Sequence, residues 1–202
     1  MYSMFGEMYI HRKMYDSAYV IMDKALRIFH EIEDKYSQGM MHVKLASVFR
    51  NLEEFDQSLY HLNIALDILK DTDSKAGLAS AYIEFGKTYQ QSGKYEKSAE
   101  YLEMAIDIYK EMGNKLGLAD SYSIISETYN KLEDYKKALD YYFKYIEVKE
   151  ATLAPHVRKE ITNLKSYHEL TKEKEKTAAL KYQNARIAED KARLMVYFAV
   201  GI

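Results

Sequence analysis

The chain has 202 residues, with 29 basic and 31 acidic side chains, a net charge of −2 and no cysteine. That balance argues against a basic nucleic-acid surface and a polyacidic tail, and the missing thiols exclude disulfides and thiolate metal sites. One proline and eight glycines favour long helices over strands, and the opening Met1-Tyr2-Ser3-Met4-Phe5-Gly6-Glu7 has neither the basic start nor the apolar stretch of a secretory signal.

In chain order the sequence predicts four helical hairpins spaced 40 residues apart, at 1–38, 39–78, 79–118 and 119–154. The first helix of each carries Tyr2, His42, Tyr82 or Tyr122, then an apolar column of Phe5, Leu45, Phe85 and Ile125. A small residue follows directly, Gly6, Ala46, Gly86 or Ser126, and three positions on stands an aromatic, Tyr9, Phe49, Tyr89 or Tyr129. Turns are expected at 14–16, 53–56, 92–95 and 133–135, with Tyr15, Phe55, Tyr95 and Tyr135 in one column. The second helix adds a small column of Ala18, Ser58, Ser98 and Ala138, then Met22, Leu62, Leu102 and Tyr142. Ala25, Ala65 and Ala105 form the last column, broken by Tyr145. Connections between hairpins are expected at 35–39, 72–77 and 112–117, where glycine and asparagine would stop the helices. Small columns mark where two backbones approach closely, and the aromatics fill the gaps between hairpins. A single hairpin cannot bury its apolar face, so the units must stack.

These columns resemble the tetratricopeptide repeat pattern W-x2-L-G-x2-Y…A-x3-F…A, with tyrosine or histidine in place of the tryptophan. The resemblance implies an all-α fold, a right-handed superhelical solenoid of hairpins with a long C-terminal helix. It also accounts for the 20 tyrosines. The sequence departs from the family in its period of 40 rather than about 34, and in the missing proline, where His30, Lys70, Lys110 and Glu150 stand instead. Both departures imply a second helix longer by about one to two turns.

From Pro155 the repeat fails, and residues 155–193 read as one long capping and linking helix. Val157, Ile161 and Leu164 form an apolar stripe flanked by Tyr167 and Leu170, whose expected role is to cap the fourth repeat. Lys172-Glu173-Lys174-Glu175-Lys176 follows; Ala178, Tyr182 and Ala185 echo second-helix columns, and Ile187, Ala188 and Leu194 allow only a weak homodimer contact. Residues 194–202 are apolar throughout and read as the start of a transmembrane helix, the alternative being an apolar cap or dimer contact. Repeats, a Lys/Glu-rich helix and an apolar segment together resemble bacterial membrane-anchored signalling proteins of the histidine kinase or diguanylate cyclase type. That resemblance implies a sensor region on the extracytoplasmic, periplasmic side, with its output domain outside this chain. Lys181, Arg186, Lys191 and Arg193 favour a cytoplasmic side instead. The alternatives are a free-standing cytoplasmic adaptor or scaffold and a peptide-sensing regulator.

No catalytic chemistry is legible. His168-Glu169-Leu170-Thr171 resembles the start of a phosphoacceptor box but reads as a surface segment, since no nucleotide-binding domain follows. His30-Glu31 lacks the second histidine of a zinc helix, and neither a phosphate-cradling loop nor a nucleophile elbow occurs. No metal, cofactor, nucleic acid or enzymatic activity is therefore expected. In the family the first helices line a concave groove. By matching columns that groove presents Glu7, Ile10 and His11; Val43, Ser47, Arg50 and Asn51; Ile83, Lys87, Gln90 and Gln91; and Ser123, Glu127, Asn130 and Lys131. Its mix of amides and both charges suits an extended peptide or a partner helix. A clamp for a terminal carboxylate is disfavoured, because Glu7, Ser47, Lys87 and Glu127 occupy the column that would need asparagine.

Overall fold

The computed structural model describes residues 14–149 and 155–200, in two compact units, Met1–Ala151 and Thr152–Ile202. The expected columns at Tyr2, Phe5, Gly6 and Tyr9, and the groove positions Glu7, Ile10 and His11, lie outside the described residues. In the first unit the described helices are α1 (Tyr15–Glu31), α2 (Lys35–Asn51), α3 (Phe55–Asp71), α4 (Lys75–Gln91), α5 (Tyr95–Glu111), α6 (Lys115–Lys131) and α7 (Tyr135–Lys149). The pairs α2–α3, α4–α5 and α6–α7 make the most extensive helix–helix contacts and form hairpins, and no strand occurs among the described residues.

Six of these helices have 17 residues and α7 has 15, so first and second helices match in length and the long period is not carried by the second helix alone. Every connection is a three-residue turn whose middle residue is left-handed: Glu33 (φ 54°), Glu53 (62°), Asp73 (53°), Gly93 (75°), Gly113 (63°) and Glu133 (60°). In five of the six, backbone bonds close the helix end doubly. Asp34 N donates to Phe29 O at 3.0 Å and Glu33 N to His30 O at 3.1 Å, and residues 53–54, 93–94, 113–114 and 133–134 repeat the pattern. These bonds satisfy the last helical carbonyls, which lets carboxylate residues hold a dihedral that glycine takes more readily. The next residue then often caps the following helix: Asp34, Ser74, Asn114 and Asp134 each accept from a backbone N–H three residues on, at 3.0–3.2 Å.

The connections are therefore shorter than the sequence suggested, because Gly39, Gly77 and Gly117 lie inside helices rather than at their ends. A Cβ would stand 2.7 Å from Leu69 at Gly39 and at Gly77, and 2.6 Å from the Tyr109 ring at Gly117. These glycines permit close helix approach. Gly86 does the same within its hairpin, where a Cβ would lie 2.6 Å from Leu102 Cγ. Gly86→Leu is expected to destabilise the protein by about 1–3 kcal/mol through overpacking, despite the better helix propensity of leucine. Thermal unfolding followed by circular dichroism checks this; an unshifted melt would place Gly86 away from that contact.

Burial follows most of the columns, but Tyr135 and Tyr142 of the fourth hairpin are exposed. Met22, Leu45, Ala46, Leu62, Phe85, Leu102 and Ile125 are fully or almost fully buried, as are the small Ala18, Ser58 and Ser98. The serines persist in the core because each meets a threonine of the next hairpin, Ser58 Oγ to Thr88 Oγ1 at 2.9 Å and Ser98 Oγ to Thr128 Oγ1 at 3.3 Å. Both threonine hydroxyls donate to carbonyls of their own helix, Glu84 O and Ile124 O, which leaves the serines as donors. Between the first and second hairpins Ala18 and Val48, both buried in one apolar cluster, occupy the same columns.

The described residues of the second unit form a single helix, α8 (Pro155–Val200), of 46 residues. Leu164, Tyr167, Leu170, Leu180 and Ile187 are exposed on it. No helix among the described residues is long and apolar enough to cross a membrane. Gly201 and Ile202, at the end of the apolar run, lie outside the described residues.

Candidate partner-binding face

Successive first helices touch one another as well as their own partners: α2 packs on α4, and α4 on α6. The groove residues of the three described hairpins are thus brought onto one layer. They do not all present free groups to solvent there. Arg50 Nε lies 3.3 Å from Glu84 Oε2 and Lys87 Nζ 2.6 Å from Glu84 Oε1, with the Arg50 and Glu84 side chains only 11% and 13% exposed. Arg50 also donates to Ser47 Oγ at 3.4 Å. One nearly buried carboxylate on α4 therefore holds two cations, one from its own helix and one from α2. Gln90 reaches in the opposite direction and donates to Thr128 Oγ1 at 3.0 Å and to Ile124 O at 3.3 Å on α6. Asn51 donates to Ser47 O one turn back, at 2.6 Å.

Gln91, Glu127, Asn130 and Lys131 are exposed, Ser123 is half-buried, and Val43 and Ile83 are buried. Two clefts open beside these residues. One of about 390 Å³ is lined by Arg50, Asn51, Glu53, Phe55 and Gln91. The other, of about 440 Å³, lies between α6 and α7 and brings Glu127 and Asn130 beside Tyr135, Leu139 and Tyr142. Among the described residues no three metal-ligating side chains gather.

A second set of side chains forms an aromatic sandwich in each of the three hairpins described in full; its outer rings stand in expected columns, whereas the middle position was not among them. Tyr101 stands between Tyr82 (6.0 Å) and Tyr89 (5.4 Å), and Tyr141 between Tyr122 (6.0 Å) and Tyr129 (5.6 Å). In the α2–α3 hairpin the middle ring is His61, between His42 (5.2 Å) and Phe49 (5.1 Å). Glu103 joins the third hairpin to the fourth, accepting from Tyr129 Oη at 2.9 Å and Tyr141 Oη at 3.3 Å. Burial first, and then this carboxylate, push the Tyr129 phenol up to about 12 and Tyr141 upward as well.

The groove expectation overlooked Glu84. A signal existed, since Glu84 stands three residues before Lys87 on the same helix. Its second cation, Arg50, comes from 34 residues away and has no local signature.

Tetratricopeptide repeat family models match residues 37–111 and 119–152, together more than half of the sequence. The chain belongs to the tetratricopeptide repeat family. No curated protein matches this tetratricopeptide chain. Among solved structures it is similar to BtubC of P. vanneervenii, at 20% identity and a TM-score of 0.66, over 76% of this chain and 65% of that one. It is also similar to aspartyl phosphate phosphatase F of Bacillus subtilis, at 20% identity and a TM-score of 0.71, over 83% of this chain and 44% of that one. The tetratricopeptide domain of Arabidopsis FLU aligns at 25% identity and a TM-score of 0.55, over 58% of this chain and 98% of that one. The chain thus spans less than two thirds of the first and second of these proteins, and the likeness to them is one of fold. As a tetratricopeptide repeat chain it is a protein- or peptide-interaction module.

Proposed function

We propose that this module is an adaptor, scaffold or peptide-sensing regulator that takes an extended peptide or a partner helix along the layer of α2, α4 and α6. The observation that carries this reading is the division of labour among the polar residues there. Arg50, Glu84 and Gln90 bind one first helix to the next, with Lys87 on the same carboxylate from its own helix, while Gln91, Glu127 and Asn130 stand exposed at clefts of about 390 and 440 Å³ and Lys131 is exposed next to Asn130 in sequence. The first group fixes the spacing of the helices, and the second offers amides and both charges to a peptide backbone and its side chains. The apolar residues 194–202 have no role in this reading.

Removing an amide that bonds a buried partner group costs about 1–3 kcal/mol. Gln91→Ala with Asn130→Ala is therefore expected to weaken a bound partner at least about tenfold at unchanged thermal stability. Glu100→Ala on the second-helix surface should leave binding as it is. A partner recovered with the full chain, then measured by calorimetry against each variant, provides the test. Retention by the double variant with loss by Glu100→Ala would move recognition to the opposite surface.

A further inference from the structure

We propose that the α2–α3 hairpin is an acid-sensitive joint in the repeat array, held closed by the facing imidazoles of His42 and His61 and loosened when they take up protons. Nδ1 of His42 and Nδ1 of His61 stand 3.0 Å apart. At that distance one nitrogen must donate and the other accept. A first proton still leaves one lone pair in the contact. A second puts two N–H groups and two positive charges face to face. The rings cannot easily turn aside, because His61 is stacked between His42 and Phe49, with Tyr60 edge-on at 5.4 Å.

Among the described residues the surroundings offer no counter-charge. One turn away on their own helices stand Gln38 and Leu45 for His42, and Gln57 and Ile64 for His61. On α1 the acid in the column of Glu103 is Asp23, which is paired with Arg27 at 2.9 Å. On α4, Glu84 is engaged by Arg50 and Lys87. Lys44 of α2 would add repulsion rather than relieve it. Among the described residues no carboxylate bonds to either ring. Burial, then the neighbouring His61, lowers the His42 imidazole to about 4, and burial lowers His61.

The folded values lie below the free imidazole value of about 6.5, so the unfolded hairpin binds protons first as the pH falls. The hairpin keeps its full stability above about pH 6.5 and loses it progressively between there and about pH 4. Stability in a repeat array is a sum over units and their neighbours, so the loss is local. In the other two described hairpins the same columns hold Tyr82 with Tyr101 and Tyr122 with Tyr141, phenols in place of the imidazole pair.

Backbone amide protection measured on the full chain at pH 7 and pH 4.5, with imidazole titrations by NMR, tests the proposal. Protection across α2 and α3 is expected to fall about tenfold or more relative to α4–α7, with both imidazoles neutral well below their ordinary range. His42→Tyr with His61→Tyr, which installs the residues of the neighbouring hairpins, should abolish the difference. If that pair fails to fold, His61→Phe keeps a ring on Phe49, removes the facing nitrogen and serves in its place. Equal losses in all hairpins, imidazoles that titrate at the ordinary value without loss of protection, or an undiminished effect in the variant would overturn the proposal.

Discussion

Phe85→Ala is expected to lower the unfolding free energy by about 3–5 kcal/mol. The ring is 1% exposed and stacks on Tyr101 at 4.5 Å within its hairpin. It also belongs to the cluster of Ala46 and Leu62, so it fills the space between the second and third hairpins as well as within the third. Truncation would leave a cavity at a junction rather than in one unit. Neighbouring hairpins depend on each other for burial, so the array should lose cooperativity along with stability. Urea unfolding by circular dichroism would then show a lower midpoint and a broader transition. Leu116→Ala, at a residue 69% exposed, should change stability by no more than about 0.5 kcal/mol. Similar losses from both substitutions would refute this assignment of the core.

Glu84→Ala should cost about 3 kcal/mol, the lower end of the range for breaking a buried ion pair. The substitution leaves Arg50 and Lys87 close together without their shared carboxylate. Lys87 can swing into water, since a third of its side chain is exposed, but Arg50 is 11% exposed and cannot do so as easily. The penalty is mainly the desolvated guanidinium. Replacing both partners, Arg50→Met with Glu84→Leu, should recover much of the loss. A double-mutant cycle in guanidinium unfolding measures the coupling. If the two single losses simply add, Arg50 and Glu84 do not act as a pair, and the first helices owe their spacing to apolar packing alone.

The columns of small, apolar and aromatic residues made the fold legible because burial constrains them. Ala46, Gly86, Leu62 and Phe85 must each fit one shape, and shape recurs with the repeat. The turns were less legible. Left-handed conformation at Glu33, Glu53, Asp73 and Glu133 is stabilised by backbone bonds, so it leaves no glycine to read. The glycines that did stand out at 39, 77 and 117 answer to Leu69 and Tyr109, from neighbouring helices. The groove positions were legible as a layer, but the division within that layer was not. Whether Arg50 or Gln90 faces a ligand or a neighbouring helix depends on what lies across the stack, at Glu84 and Thr128, about 34–38 positions further on.

The six left-handed turn residues stand 20 positions apart, whereas the side-chain columns recur every 40. The backbone thus carries twice the symmetry of the sequence written on it. Inner and outer connections are geometrically interchangeable, so turn shape alone cannot tell a helix which neighbour to adopt. That choice falls to complementarity between knobs and recesses, Leu102 over Gly86 or Ser58 against Thr88. Chain length is held to multiples of a single helix and turn, while the identity of each helix is encoded only in its side chains. A lineage of such arrays can therefore vary its turns freely provided it keeps count.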